Sequence, residues 1–105
     1  MKLLKLLGLS LIISFASCAK KDPTACFTVD KGKTAKVNEE VQFDASCSAN
    51  ADTYQWSFKS GATVLGTASG AQTKFKFTAK GVVKISLVAK NGDNTSESTQ
   101  DVEIL

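Results

Sequence analysis

The sequence predicts an all-β domain built from two packed sheets, and three features of its pattern indicate this. From Thr24 onward, short runs alternate apolar and polar residues, so each strand has one face for a core and one for solvent. Gly, Asn, Asp and Ser separate these runs at short intervals. No run shows the 3.6-residue period of an amphipathic helix. With 105 residues, the chain has room for one small domain.

The first two predicted strands each have one apolar face, and the polar segment 30–40 separates them. Because side chains alternate across a strand, residues two apart share a face. These faces comprise Ala25, Phe27 and Val29 in the first strand and Val41 and Phe43 in the second.

The third predicted strand carries the aromatic residues Tyr54, Trp56 and Phe58, which alternate with polar neighbours. A row of three rings on one face is the largest apolar patch in the sequence, so we expect it in the middle of the core. The less favoured alternative is an exposed platform on which sugar rings stack.

Four further strands complete a predicted total of seven. A short edge strand around Val64 and Leu65 is expected between glycine turns, and Gly81 and the segment 91–94 mark later turns. The inward residues of the last three strands are predicted as Phe75 and Phe77, then Val83, Ile85, Leu87 and Ala89, then Val102 and Ile104.

The N-terminus has the layout of a secretory signal peptide, predicted to be cleaved after residue 17. Lys2 and Lys5 precede an apolar stretch over residues 6–16, and small residues follow. A membrane-spanning helix needs about 20 apolar residues, so a stable transmembrane anchor is the weaker alternative. The predicted domains are therefore 1–17, 18–23 as the N-terminus and tether, and 24–105.

The segment 15–18 resembles the lipobox of bacterial lipoproteins, in which small residues precede an invariant Cys, although Phe15 replaces the usual Leu. The resemblance implies that Cys18 is acylated and holds the protein on a membrane. Because Ala19 stands where an inner-membrane retention Asp would stand, it is compatible with the outer membrane, and surface exposure stays open. The alternative is an ordinary thiol near a conventional cleavage site.

Cys26 and Cys47 remain as an even pair in an exported protein, so we expect them to form a disulfide. Neighbouring first and second strands would bring them together. Closing the 26–47 loop would stabilise the fold by roughly 3 kcal/mol on the chain-entropy model. Two free thiols or a redox pair are the alternatives.

Composition argues against several functions. Removing Lys2 and Lys5 leaves 11 Lys against 10 acids, a charge of +1, and Arg is absent, so no nucleic-acid partner is expected. The chain has no His and no phosphate-binding glycine loop, so we expect neither an enzyme nor a cofactor. No metal site is predicted, with a calcium ion held by Asp30, Asp52 and Asp93 as the alternative.

Three stretches together resemble the PKD (polycystic kidney disease) domain over residues 23–105: 23–30, 37–58 and 74–94. The matching positions are Pro23, Ala25, Phe27, Phe43, Ala45, Ser46, Tyr54, Trp56, Phe58, Gly81, Asn91 and Gly92. The resemblance implies a seven-stranded immunoglobulin-like β-sandwich, the fold that the strand spacing also indicates.

One departure from the family concerns the turn after Trp56, where the usual Trp-Asp-Phe-Gly-Asp-Gly is replaced by residues without either acid, including Lys59. A role for those acids therefore cannot be transferred. The resemblance implies a binding module that contacts an envelope protein or glycan. The alternative is a structural spacer without a ligand of its own.

Overall fold

The computed structural model describes residues 21–105, which form eight β-strands and no helix. In chain order the strands are β1 Thr28–Val29, β2 Thr34–Ala35, β3 Glu40–Asp44, β4 Thr53–Ser60, β5 Thr63–Ser69, β6 Gln72–Lys76, β7 Gly81–Asn91 and β8 Asn94–Ile104.

The strands form two sheets that pack face to face as a sandwich. One sheet has the order β1-β3-β6 and the other has the order β2-β8-β7-β4-β5. All neighbours are antiparallel except β2 and β8, which pair in parallel through Thr34↔Glu103 and Ala35↔Ile104. The predicted all-β, immunoglobulin-like sandwich is confirmed.

The core lies between the sheets and is dominated by aromatic rings. Phe58 is fully buried and contacts Phe43, Phe75 and Phe77 at ring-centroid distances of 5.1, 4.6 and 6.0 Å. Trp56 contacts Phe43 at 5.9 Å and Phe27 at 5.2 Å. The rings of β4 therefore join the two sheets, as the alternation of that strand predicts.

The long β7–β8 hairpin turns at Gly92, which has a φ of 65°. Its two-residue connection from Asn91 to Asn94 matches the twist of the flanking strands. The hairpin predicted at 91–94 is confirmed.

Two strands differ from the prediction. β2 lies inside the segment 30–40, which was expected to be a connection, and it buries only Ala35. β8 begins at Asn94, well before the predicted pair of Val102 and Ile104.

The early half of β8 escaped prediction because its inward positions are polar. Ser96 Oγ accepts a hydrogen bond from the backbone N–H of Ala25 at 3.0 Å. Gln100 Nε2 donates to the carbonyl of Phe27 at 2.7 Å. These side chains join β8 to the segment before β1, and they replace the apolar residues that an alternation pattern would show.

Gly66 was expected in a turn, but it lies in the middle of β5 and faces the core opposite Phe58. A Cβ at this position would lie 2.5 Å from Cε1 of Phe75. Glycine is therefore required here so that the Phe75 ring can stack on Phe58.

Candidate functional site

The aromatic residues of β4 are part of the core and do not form a platform. Trp56 is 2% exposed, Phe58 is 0% exposed and Tyr54 is half-buried. Trp56 Nε1 donates to the carbonyl of Gly70 at 2.8 Å, which satisfies its one polar group. The structure therefore confirms the predicted core position of this row, and the sugar-platform alternative is wrong.

The outer face of the three-stranded sheet contains a polar depression of about 580 Å³. The ladder sets its side chains in rows across the strands, because Thr28 lies opposite Asp44 and Asp44 lies opposite Gln72. The second row comprises Asp30, Gln42 and Lys74. The depression therefore offers carboxylates, amides, a hydroxyl and an ammonium group, without an exposed ring.

Hydrogen bonds within the protein already engage the carboxylates of this depression. Asp44 Oδ1 accepts from the Ser46 backbone N–H at 2.8 Å, and Oδ2 accepts from Gln72 Nε2 at 3.3 Å. Asp30 Oδ1 accepts from the Gln42 backbone N–H at 2.9 Å. Such bonds stabilise the sheet and leave fewer polar groups free for a ligand.

The backbone and hydroxyl of Ser46 hold the pKa of the Asp44 carboxyl below its ordinary range. Gln72 lowers this pKa further, against a small opposing effect of desolvation. Asp44 is therefore held as a carboxylate that fixes a turn, which is the opposite of what a general acid requires.

A different surface lies at the free edge of β5, which has a hydrogen-bonded neighbour only on its β4 side. Val64 and Leu65 are 53% and 42% exposed. Leu65 is the extra residue of a bulge, because Phe58 pairs with Gly66 while Lys59 pairs with Val64.

An apolar groove of about 230 Å³ adjoins this edge, between the ends of the two sheets. Leu65 lies on its wall, and Phe75, Phe77 and Val83 contribute its other apolar side chains. Exposed Lys76 and Lys80 also line it. We call this surface the distal groove.

The predicted disulfide is present. Cys26 and Cys47 are bonded, with their Cα atoms 5.3 Å apart, which excludes the free-thiol alternative. The register places them together because β1 pairs with β3 through Thr28↔Asp44. Ser48 strengthens the junction, since its Oγ donates to the Cys26 carbonyl at 2.7 Å and accepts from the Cys26 N–H at 2.9 Å.

The other sequence-based site predictions have different outcomes. Cys18, the predicted lipidation site, lies outside the described residues. Within residues 21–105, no group of three or more His, Cys, Asp or Glu side chains is placed to hold a metal ion, so Asp30, Asp52 and Asp93 are not brought together as one. The same part of the chain has no helix of the length and apolarity needed to cross a membrane.

The sequence analysis missed the distal groove and its edge strand. A signal was present, because residues 60–73 contain neither a charge nor Pro, and lysines lie on both sides of that run. An uncharged run of this length is unusual for an edge strand, which ordinarily carries charged residues.

The two sheets, their order and their aromatic core define an immunoglobulin-like β-sandwich, a class that is typically non-catalytic. The sequence also matches the profile of the PKD domain over residues 20–105. The chain belongs to the PKD domain family, and the resemblance found in its motifs is confirmed.

Solved structures share the fold. One, titled for the promiscuous specificity of carbohydrate-binding modules of the β-sandwich superfamily, superposes with a TM-score of 0.69 at 24% identity over 82% of this chain. An engineered protein superposes with a TM-score of 0.59 at 14% identity over 78% of this chain. The match spans only 35% and 20% of those two chains. A search of curated proteins finds no significant match.

Proposed function

We propose that this protein is a lipid-anchored binding module of the bacterial cell envelope and that its partner is a protein. The proposed anchor is acylated Cys18, and the proposed location is the outer membrane. No enzymatic step is assigned. The lipobox-like segment 15–18 and the membership of the PKD family support this function.

One observation favours a protein partner over a polysaccharide. Val64 and Leu65 are exposed on the unpaired edge of β5, whereas the aromatic rings of residues 21–105 are buried or half-buried. An exposed apolar edge suits a protein contact. A polysaccharide would be favoured by an exposed row of rings.

Polysaccharide binding at the polar depression is the second candidate. It is supported by the rows of hydrogen-bonding side chains there and by the carbohydrate-binding-module title of the structural neighbour, whose 24% identity supports the fold alone. The internal hydrogen bonds of Asp44 and Asp30 weaken this candidate. A spacer without a ligand is the third.

Photo-crosslinking in cells that produce the full chain separates these candidates. A photoreactive amino acid is placed at Leu65, at Gln42 in the depression, or at Lys90 as an exposed control. We expect a discrete protein adduct from position 65 and none from position 90. A glycan adduct confined to position 42 would favour the polysaccharide, and no adduct at either site would favour the spacer.

A further inference from the structure

The free edge of β5 lacks the protection that the other edges have. β1 and β2 have two residues each, and β6 carries Lys74 and Lys76. The early half of β8 is joined to the segment before β1 by side-chain hydrogen bonds. Among the described strands, β5 is thus the long edge without a charge, and only the bulge at Leu65 interrupts it.

An unpaired edge presents backbone N–H and carbonyl groups to any extended chain that approaches it. Beyond the bulge, the part of β5 from Gly66 to Ser69 keeps a regular register with β4. An incoming strand can therefore pair there while one of its apolar side chains enters the distal groove near Leu65 and Phe75.

The charges around this edge are positive. Lys76 and Lys80 line the distal groove, and Lys59 lies beside Val64 in the ladder. None of these three lysines has an ion pair within residues 21–105. The nearest acid in the register is Glu40, which lies opposite Lys76 but pairs with Lys74 at 3.9 Å.

Unpaired cations beside an uncharged strand favour an acidic partner segment. They disfavour a second copy of this chain, because edge-to-edge pairing of two copies would bring the same lysines together.

The distal groove also lies far from the membrane-proximal end of the domain. Asn91, at the end of β7, donates to the Lys21 carbonyl at 3.1 Å, whereas Lys80 precedes the first residue of the same strand. A strand of that length extends over roughly 35 Å. The groove is therefore presented away from the proposed lipid anchor.

We propose that the free edge of β5 and the distal groove together bind an extended, acidic segment of a partner protein, which adds a strand to the five-stranded sheet. Gly66 to Ser69 supply the backbone hydrogen bonds. Leu65 and Phe75 contact an apolar side chain of the segment, and Lys76 and Lys80 attract its carboxylates. This inference rests on the proposed function, since it specifies the chemistry of the protein partner.

The test uses the mature lipoprotein in zwitterionic nanodiscs and a fluorescent peptide of about eight residues, an ordinary strand length, in which Glu alternates with Val and Thr. The control peptide has Lys in place of every Glu. We expect the acidic peptide to bind with an affinity that falls with salt and to exceed the basic peptide by at least about ten-fold. Equal binding of the two peptides, or no binding of the acidic one, would overturn the proposal.

Variants locate the binding. Leu65→Lys adds a charge to the edge, and Lys76→Glu/Lys80→Glu reverses the charge of the groove. Each should weaken binding of the acidic peptide by about ten-fold or more, whereas Lys90→Glu at the opposite end should leave it unchanged. Circular dichroism of each variant confirms folding, and the double lysine variant provides the test if Leu65→Lys does not fold. Unaltered binding in folded edge and groove variants contradicts the site.

Two outcomes separate this inference from the function on which it rests. If the peptide fails to bind but position 65 still crosslinks to a protein in cells, the acidic-segment chemistry is wrong and the protein-binding function stands. If sedimentation shows a dimer that Leu65→Lys abolishes, the occupant of the edge is a second copy, and the proposal is wrong.

Discussion

Phe58 shows how far single residues of the interior follow from the sequence. Its place in an alternating aromatic row predicted burial, and it is in contact with three other rings. Gly66, by contrast, was assigned to a turn, because a glycine in a polar stretch ordinarily marks one. Its actual role depends on Phe75, a contact between sheets that local patterns do not reveal.

The first prediction concerns Gly66→Ala. The new Cβ would lie 2.5 Å from Cε1 of Phe75, so the ring must leave its stacked position on Phe58. Overpacking of this kind lowers the free energy of unfolding by about 1–3 kcal/mol. Urea unfolding followed by Trp56 fluorescence measures it.

Thr67→Ala is the matched control for Gly66→Ala, because Thr67 is the next residue on the same strand and is exposed. It should change the free energy of unfolding by no more than about 0.5 kcal/mol. Equal effects of the two substitutions would show that the close approach of Phe75 is not what requires glycine.

At the scale of elements, strands with an apolar inward face were predictable and strands with a polar one were not. The aromatic face of β4 and the aliphatic face of β7 indicated their positions directly. β8 carries inward Ser96 and Gln100, whose partners are backbone groups about 70 residues away in sequence. β2 is too short to produce a period.

The disulfide connects the segment before β1 to the segment after β3, and its removal provides the second prediction. Replacing both Cys26 and Cys47 with Ala should lower the free energy of unfolding by roughly 3 kcal/mol, since the unfolded chain loses the closed 26–47 loop. Urea unfolding of the double variant and the parent protein measures the difference.

Cys18→Ala is the control for the disulfide variant, because it also removes a sulfur but leaves the 26–47 loop closed. It should unfold at the same urea concentration as the parent protein. A loss of less than about 1 kcal/mol in the double variant would show that the ladder between β1 and β3 suffices to hold this end of the domain.

At the scale of the whole molecule, the sandwich and its family were predictable because their motifs are distributed over nearly the whole domain. The partner surface was not predictable, since it is formed where β5 of one sheet meets β6 and the start of β7. An uncharged run in the sequence becomes an edge only when the sheet order is known.

The third prediction concerns the anchor. The parent protein should float with membranes after a high-salt wash, and mass spectrometry should find an acylated N-terminal Cys18. Cys18→Ala should abolish both the acylation and the flotation. The Cys26→Ala/Cys47→Ala variant keeps Cys18 and should float like the parent protein. An unmodified N-terminus on the parent protein would refute the anchor.

The contacts of Lys21 and Pro23 limit how high this module can stand. The Lys21 carbonyl is held by Asn91, and Pro23 is buried. Because an extended chain advances by at most about 3.6 Å per residue, a lipid on Cys18 leaves a leash of about 11 Å before the folded body begins. The domain would work at a nearly fixed height, with β5 and its lysines facing outward. A partner would therefore have to come down to within roughly 50 Å of the bilayer to reach it.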